Sequence, residues 1–390
     1  MQRHLITGVI LVAIFFGCKE QYVRPVVSSN VNTLVVDGFI NSGNDSTSIK
    51  LSRSVGVSTN SVKQNPEAKA QVTVESSANS TYPLKEISKG TYACGPLNLN
   101  KTLQYRLRIV TSDHKIYLSD FVEVKDSPVI DSLGYNLTAA GLGVYVNTHD
   151  DAANTRYYRW DYHETWEFHP PYQSEYIARG NSIVDRNLQT EGIFFCWQNA
   201  SSSDIVLNSS AKLAKDVIFQ GPIAMIPKTS EKLSFEYSIL VKQYALTQDA
   251  FNYWQLLRNN TEQTGSIFDT QPSVLTGNIH NASDKNELVF GYVSVGSVRQ
   301  KRMFVYANNL PTDFGTDNSA YKNCTIDTVS KSKWADYYFG PGHIWTPVYP
   351  VTVFVAFPIP HTDTTAFQGT GNVCADCTTR GTRVRPSFWQ

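Results

Sequence analysis

Hydrophobic and polar residues alternate along much of this chain. Leu103, Tyr105, Leu107 and Ile109 are separated by Gln104, Arg106 and Arg108, the period of two that turns one side of a strand to a core and the other to water. Similar β-rich runs lie at 34–40, 48–52, 70–75 and 116–124, and turn chemistry at Lys89-Gly90, Asn98 to Asn100 and Ser112-Asp113 falls between runs. Short strands with polar turns over residues 31–126 predict a small antiparallel β-sandwich of immunoglobulin or transthyretin type. Asp126-Ser127-Pro128 then marks a boundary, because proline restricts the residue before it and cannot continue a ladder. Further on, residues 142–147, 156–166, 192–197, 234–244, 288–294 and 302–306 read as strands spaced by polar insertions. They predict a larger, β-rich, sandwich-like domain with long loops over 127–390. One helix is signalled near 247–260: Thr247 can cap it, Asp249 suits its positive end, and Ala250, Trp254 and Leu257 share a face. Residues 308–390 carry Pro, Gly and Thr throughout and read as loops whose order depends on packing and disulfides.

The start of the chain breaks the alternation. Leu5 to Phe16 is an almost unbroken apolar run, too short to span a bilayer, behind a short head carrying Arg3 and His4. Residues 1–17 therefore read as a signal peptide. Gly17-Cys18 at its end resembles a bacterial lipobox, which makes Cys18 the lipidated first residue of the mature chain and residues 18–30 a tether. No Asp follows Cys18, which argues against inner-membrane retention, and Lys19-Glu20 is similar to acidic surface-export tags. The expected location is the outer membrane, lipid-anchored and exposed at the cell surface.

Composition changes this picture in two ways. Apolar residues make up 41% and aromatics 12% of 390 residues, enough to build sizeable cores. Charges balance at 34 basic and 34 acidic, and loss of Arg3 with the signal leaves 33 minus 34, about −1, so nothing favours nucleic acid. Besides Cys18 there are five cysteines, and an exported chain can keep disulfides. Cys94 is expected to be the odd thiol. Cys196, Cys324, Cys374 and Cys377 are the candidates for pairing: either Cys374 with Cys377, or one of them with Cys324 or Cys196 across a long loop.

Candidate chemistry is sparse. His163-Glu164 invites a zinc-protease reading, yet the next histidine is His169, and on a strand His163, Glu167 and His169 share one face while Glu164 faces away. Cys374-x-x-Cys377 lacks both a second ligand pair for zinc and the following helix of a redox motif. No G-x-S-x-G, P-loop or G-x-G-x-x-G occurs. The reading is of no metal, no cofactor and no catalytic residue. Aromatics crowd residues 157–172; alternation assigns Tyr158, Trp160 and Tyr162 to the core, and the stretch from Trp166 to Tyr172, broken by Pro170-Pro171, reads as an exposed loop. Trp166, Trp334 and Trp345 are the candidate contacts to a partner or ligand.

Several further segments together resemble the DUF4249 lipoproteins of Bacteroidetes. They are Leu34-Val35-Val36-Asp37-Gly38, Arg156-Tyr157-Tyr158-Arg159-Trp160 with Glu164-Thr165-Trp166-Glu167, and Tyr237 to Tyr244 leading into the helix. Gly265 to Asp269, Gln271-Pro272, Gly277-Asn278-Ile279, Gly291-Tyr292 and Cys374-Ala375-Asp376-Cys377 with Arg380-Gly381, Pro386 and Phe388-Trp389 extend the likeness over most of the mature chain. The resemblance implies an outer-membrane lipoprotein beside a TonB-dependent (SusC-like) transporter, as accessory or substrate-binding partner. An independent glycan- or peptide-binding surface lipoprotein is the alternative, and a hydrolase is the least supported reading, since no nucleophile, base and orienting group converge in the sequence.

Overall fold

The computed structural model describes residues 32–55, 65–262, 275, 277–339, 342–355 and 361–389. Cys18, the signal and the tether lie outside them, as does the resemblance segment from Gly265 to Pro272. Among the described residues the chain is mainly β. Its first strands are β1 (Leu34–Asn41), β2 (Thr47–Arg53), β3 (Asn65–Pro66), β4 (Gln71–Ser76), β5 (Thr81–Ser88), β6 (Thr91–Cys94), β7 (Gln104–Val110), β8 (Ile116–Ser119) and β9 (Val122–Lys125). Next come β10 (Ile130–Leu137), β11 (Gly141–His149), β12 (Tyr157–Phe168), β13 (Tyr176–Arg179), β14 (Ser182–Asp185), β15 (Cys196–Ser201), β16 (Val206–Ser209), β17 (Val217–Pro227) and β18 (Glu236–Ala245). The helix Gln248–Glu262 follows. Its start is the expected one, with the Ala250 N–H donating to Thr247 Oγ1 at 3.2 Å.

The chain then goes back. Strands β19 (Ile279–Asn281), β20 (Val289–Phe290) and β21 (Ser294–Gly296) join the first unit, pairing with β8, β1, and β1 and β9 respectively. Because β9 also pairs with β7, the strands β7-β4-β5-β6-β2-β1-β21-β9 form a continuous ring. The two layers expected of a sandwich are thus joined at both edges, so the ring itself has no edge strand, and β3, β8, β19 and β20 attach outside it. Inside lie Leu34, Val36, Ile49, Leu51, Val72, Tyr105, Leu107 and Tyr117 from the first pass of the chain, with Ile279, Val289, Val293 and Val295 from the return. The boundary near 126 therefore divides the sequence but not the structure, because the first unit takes its closing strand from the far side of the second.

One residue after β21, the strand β22 (Val298–Tyr306) rejoins the second unit. There the sheet β15-β12-β18-β22 faces the sheet β10-β11-β17, and Leu142, Val144, Val146, Tyr158, Trp160, Tyr162, Ile239 and Val241 fill the space between them. Gln243 is fully buried within this layer, and its amide is used on both sides: Oε1 accepts from Trp160 Nε1 at 3.0 Å and Nε2 donates to the Pro128 carbonyl at 2.8 Å.

Two expectations are overturned. Residues 308–390 are not mainly loop: β23 (Asp327–Ser330), β24 (Trp345–Val355) and β25 (His361–Gly371) form a three-stranded sheet over its own small core of Val329, Trp334, Tyr338 and Phe367. Nor does an exposed loop begin at Trp166. Strand β12 runs to Phe168, with Trp166 only 8% exposed and Phe168 buried; the prolines stop the strand after it, not within it.

Disulfides tie the C-terminal segment back. Cys196 pairs with Cys377 and Cys324 with Cys374, so the two cysteines of the C-x-x-C serve different bridges, and Cys94 is the free thiol. Trp197 and Thr382 add a reciprocal backbone bridge beside the first. Thiol titration of the denatured, unreduced mature protein should find one free thiol, removed by Cys94→Ala. Cys196→Ser should lower stability by about 2 to 4 kcal/mol in denaturant titration, since the bridge closes a loop of sequence separation 181. Adding Cys377→Ser to it should cost little more, because the pair acts as one unit.

Candidate ligand or partner cleft

At the end of β12, the chain places Phe168, His169, Pro170 and Pro171 opposite the entry to β18 at Phe235. Between them and the turns at 315–318 and 321–324 lies a cleft of about 510 Å³. One wall is aromatic. The His169 ring sits 3.8 Å from Phe235, 4.8 Å from Phe194 and 4.6 Å from Phe195, and its Nε2 lies 2.6 Å from Glu167 Oε1. Phe235, in the lining, remains 41% exposed, and Phe195, packed on His169 outside the lining, 53%, so substantial ring surface faces water at and beside the cleft.

The other wall is polar and firmly held. Arg380 forks onto Glu231, with Nη1 to Oε1 at 2.8 Å and Nη2 to Oε2 at 2.7 Å, and its guanidinium lies over the Phe168 and Tyr321 rings at 4.9 and 5.0 Å. This two-pronged geometry fixes orientation as well as charge. Ser234 Oγ donates to the Gly315 carbonyl at 2.6 Å. Gly315 has φ +66°, and a Cβ there would meet the Leu233 carbonyl at 2.5 Å, so glycine is required for the turn. Asp317 accepts from the Ser319 N–H at 2.8 Å, and this contact holds its carboxyl below the usual range. Cys324 is locked into its disulfide, and the Tyr172 N–H donates to the Cys374 carbonyl at 3.2 Å. What these groups offer is a stiff platform of rings with a rim of acid, amide and hydroxyl.

The sequence-derived contacts lie elsewhere. Trp166 faces the interior, with Lys232 Nζ 5.1 Å over its ring; Trp334 is 8% exposed and donates from Nε1 to the Val329 carbonyl at 3.2 Å; Trp345 is half-buried against Tyr337 at 5.2 Å. Trp166 and Trp334 are therefore core residues, Trp345 packs against the same small core as Trp334, and none of the three lines the cleft. Phe194, Phe235 and Tyr321 are the rings that line the cleft instead. The adjacent Phe194-Phe195 pair was the available signal, since consecutive apolar residues in a strand-like stretch put one ring on the wet side. The zinc-like fragment is split as its period requires: Glu164 is buried and accepts from Tyr237 Oη and Lys232 Nζ at 2.8 and 2.6 Å, whereas His163 is exposed beside Ser201.

Glu236 follows Phe235 on β18 and belongs to the same end of the sheet. Burial pushes its carboxyl above the usual range, the neighbouring Glu167 adds to the rise, and Arg385 opposes it. Because folding favours the protonated form, Glu236 supports the fold fully below its unfolded pKa and loses that support as pH rises through its higher folded value. Glu236→Gln should accordingly raise the thermal midpoint more at about pH 7 than at about pH 4. An equal change at both would contradict this account.

The DUF4249 profile, a domain of unknown function, matches residues 19–302, well over half of the chain. No curated protein matches at a significant level. Among solved structures, the chain is similar to a two-domain fibronectin type-III segment from chicken tenascin, with 14% identity, a TM-score of 0.16, and coverage of 55% of this chain and 92% of that one. A biofilm-associated protein BSP domain gives 7% identity, a TM-score of 0.14, and coverage of 75% and 62%. At those scores neither adds to the strand order above. The family assignment rests on the profile match alone, and by it this chain belongs to the DUF4249 family.

Proposed function

We propose that this protein binds rather than reacts: a lipid-anchored surface protein of the outer membrane, serving as accessory or substrate-binding partner of a TonB-dependent (SusC-like) transporter. The observation that carries the binding reading is the aromatic cleft, where Phe235 is exposed, with exposed Phe195 packed on the same His169 ring beside it, while Glu231, Ser234 and Cys324 of the lining are committed, Glu231 being braced from behind by Arg380. Rigid aromatic anchors lose little conformational freedom on contact and commonly dominate interfaces. Two disulfides in the structure accord with an oxidising compartment. Among the described residues no helix is long and apolar enough to cross a membrane, so in this reading attachment rests on the acyl chains at Cys18. Two or three chains hold a protein firmly where one is marginal, and confinement to a surface keeps even a modest interface occupied.

Cys18→Ser should release or mislocalise the protein, and globomycin should block its maturation; retention at the same size under both would end the lipoprotein reading. Affinity purification of the tagged protein from gently solubilised outer membranes should recover a TonB-dependent barrel. Phe195→Ala and Phe235→Ala should each weaken that complex by about 1 kcal/mol or more, with unchanged thermal midpoints. Recovery of the lipoprotein alone at native expression would reject the partnership and favour an independent glycan- or peptide-binding module.

A further inference from the structure

A second opening lies on the outer face of the same sheet, where it meets the first unit. Strand register places Arg159, Tyr244 and Val298 in one row and Asp161, Lys242 and Gln300 in the next. Opposite them stand β1 and the turn between β1 and β2, with Asp37, Phe39 and Asp45, and the space between is about 480 Å³. Pockets of this size between domains are common ligand sites.

The floor is built tightly. Phe39 meets Tyr244 edge-on at 5.0 Å, joining the two units. The Arg159 guanidinium lies 4.6 Å from the Tyr244 ring and 4.2 Å from that of Trp254 on the helix, its Nη2 is 3.1 Å from Asp161, and its buried Nε has no partner among the described residues. Tyr244 is thus covered by a cation on one side and a ring edge on another, and offers no free face for stacking a sugar. Recognition here must come from charge and hydrogen bonds.

Those charges stand on facing walls. Asp37 and Asp45 are on the first unit and Lys242 on the second, and none of the three enters an ion pair formed among the described residues. Asp37 and Lys242 sit on paired strands, so their positions are set by the scaffold and not by a mobile loop. Partial enclosure strengthens a charge interaction relative to open water, and a molecule carrying both signs would satisfy both walls at once. We propose that this cavity binds a zwitterionic ligand of the amino-acid or short-peptide class, its ammonium toward Asp37 and Asp45 and its carboxylate toward Lys242. This site is separate from the aromatic cleft and does not depend on a transporter partner.

The test is calorimetric titration of the detergent-solubilised mature protein with free tripeptides Ala-X-Ala, where X is alanine, lysine, glutamate or phenylalanine, alongside N-acetylated and C-amidated forms and maltotriose. At least one free tripeptide should bind saturably, and blocking either terminus should weaken it by about tenfold or more. Lys242→Gln and Asp45→Asn, both on the solvent side of the fold, should have the same effect with unchanged thermal midpoints, while Phe235→Ala should leave it unaltered. No saturable binding by any free tripeptide, equal binding of the blocked forms, or preference for maltotriose would each overturn the proposal. The blocked peptides test it on the unaltered protein, independently of how any variant folds.

Discussion

The structure depends on the closure of the first ring by a segment that arrives from the other side of the second unit. Strand β21 lies between β1 and β9, and without it both would present open edges. The approach is so close that side chains are excluded: a Cβ on Gly296 would lie 2.0 Å from the Lys125 carbonyl oxygen, and one on Gly291, at φ +132°, 2.1 Å from that of Val36. Asn278 secures the segment by bonding both backbone groups of Val293, with Oδ1 accepting from its N–H at 2.9 Å and Nδ2 donating to its carbonyl at 3.0 Å. This gives physical content to two of the family segments, Gly277-Asn278-Ile279 and Gly291-Tyr292. They are the points where the returning backbone must touch the first pass.

That closure also governs how the two units sit. Ser297 separates β21 from β22, its Oγ accepts from the Ser127 N–H at 3.0 Å, and Ser127 Oγ in turn accepts from the Ala245 N–H at 2.8 Å. Phe39, Tyr244, Leu246, Ala250, Tyr157, Trp254 and Tyr292 form one apolar cluster across the junction. A hinge would have to break backbone-linked hydrogen bonds and expose rings together, and both costs oppose relative motion of the units.

The second unit solves a different problem, which is how to bury polar groups in an aromatic interior. Gln243, Glu164 and Asp216 are each nearly or fully enclosed, and each is supplied with partners: Asp216 takes Tyr158 Oη at 2.9 Å and Thr155 Oγ1 at 3.1 Å. Unpartnered, any of them would cost several kcal/mol. At the open end of this layer such completeness gives way. Glu236 and Glu167 stand near one another, Phe195 and Phe235 face water, and disulfides do the holding that a core does elsewhere. Exposed rings on a braced rim are the arrangement expected of a contact surface.

Alternation by itself located the strands whose two faces differ most. β1, β2, β4, β7, β11, β12 and β18 were legible in this way, and the helix was legible from its Thr247 cap; that Cys94 is the unpaired thiol is fixed by the pairing of the other four cysteines and not by their spacing. β5 was not, because all but one of its residues face water or lie at the edge of the core, and β17 was not, because Gly221-Pro222 and two register shifts interrupt its period. Tertiary structure alone decided that β19 to β21 belong to the first unit, that the C-terminal threonines form a sheet, that Trp166 and Trp334 point inward, that Phe195 and Phe235 gather on His169, and that Arg380 covers Tyr321. The physical reason is that a local period reports which side of a strand is apolar, whereas the partner on that side is fixed by pairings such as Arg380 with Glu231 at a separation of 149 residues, which no local pattern encodes.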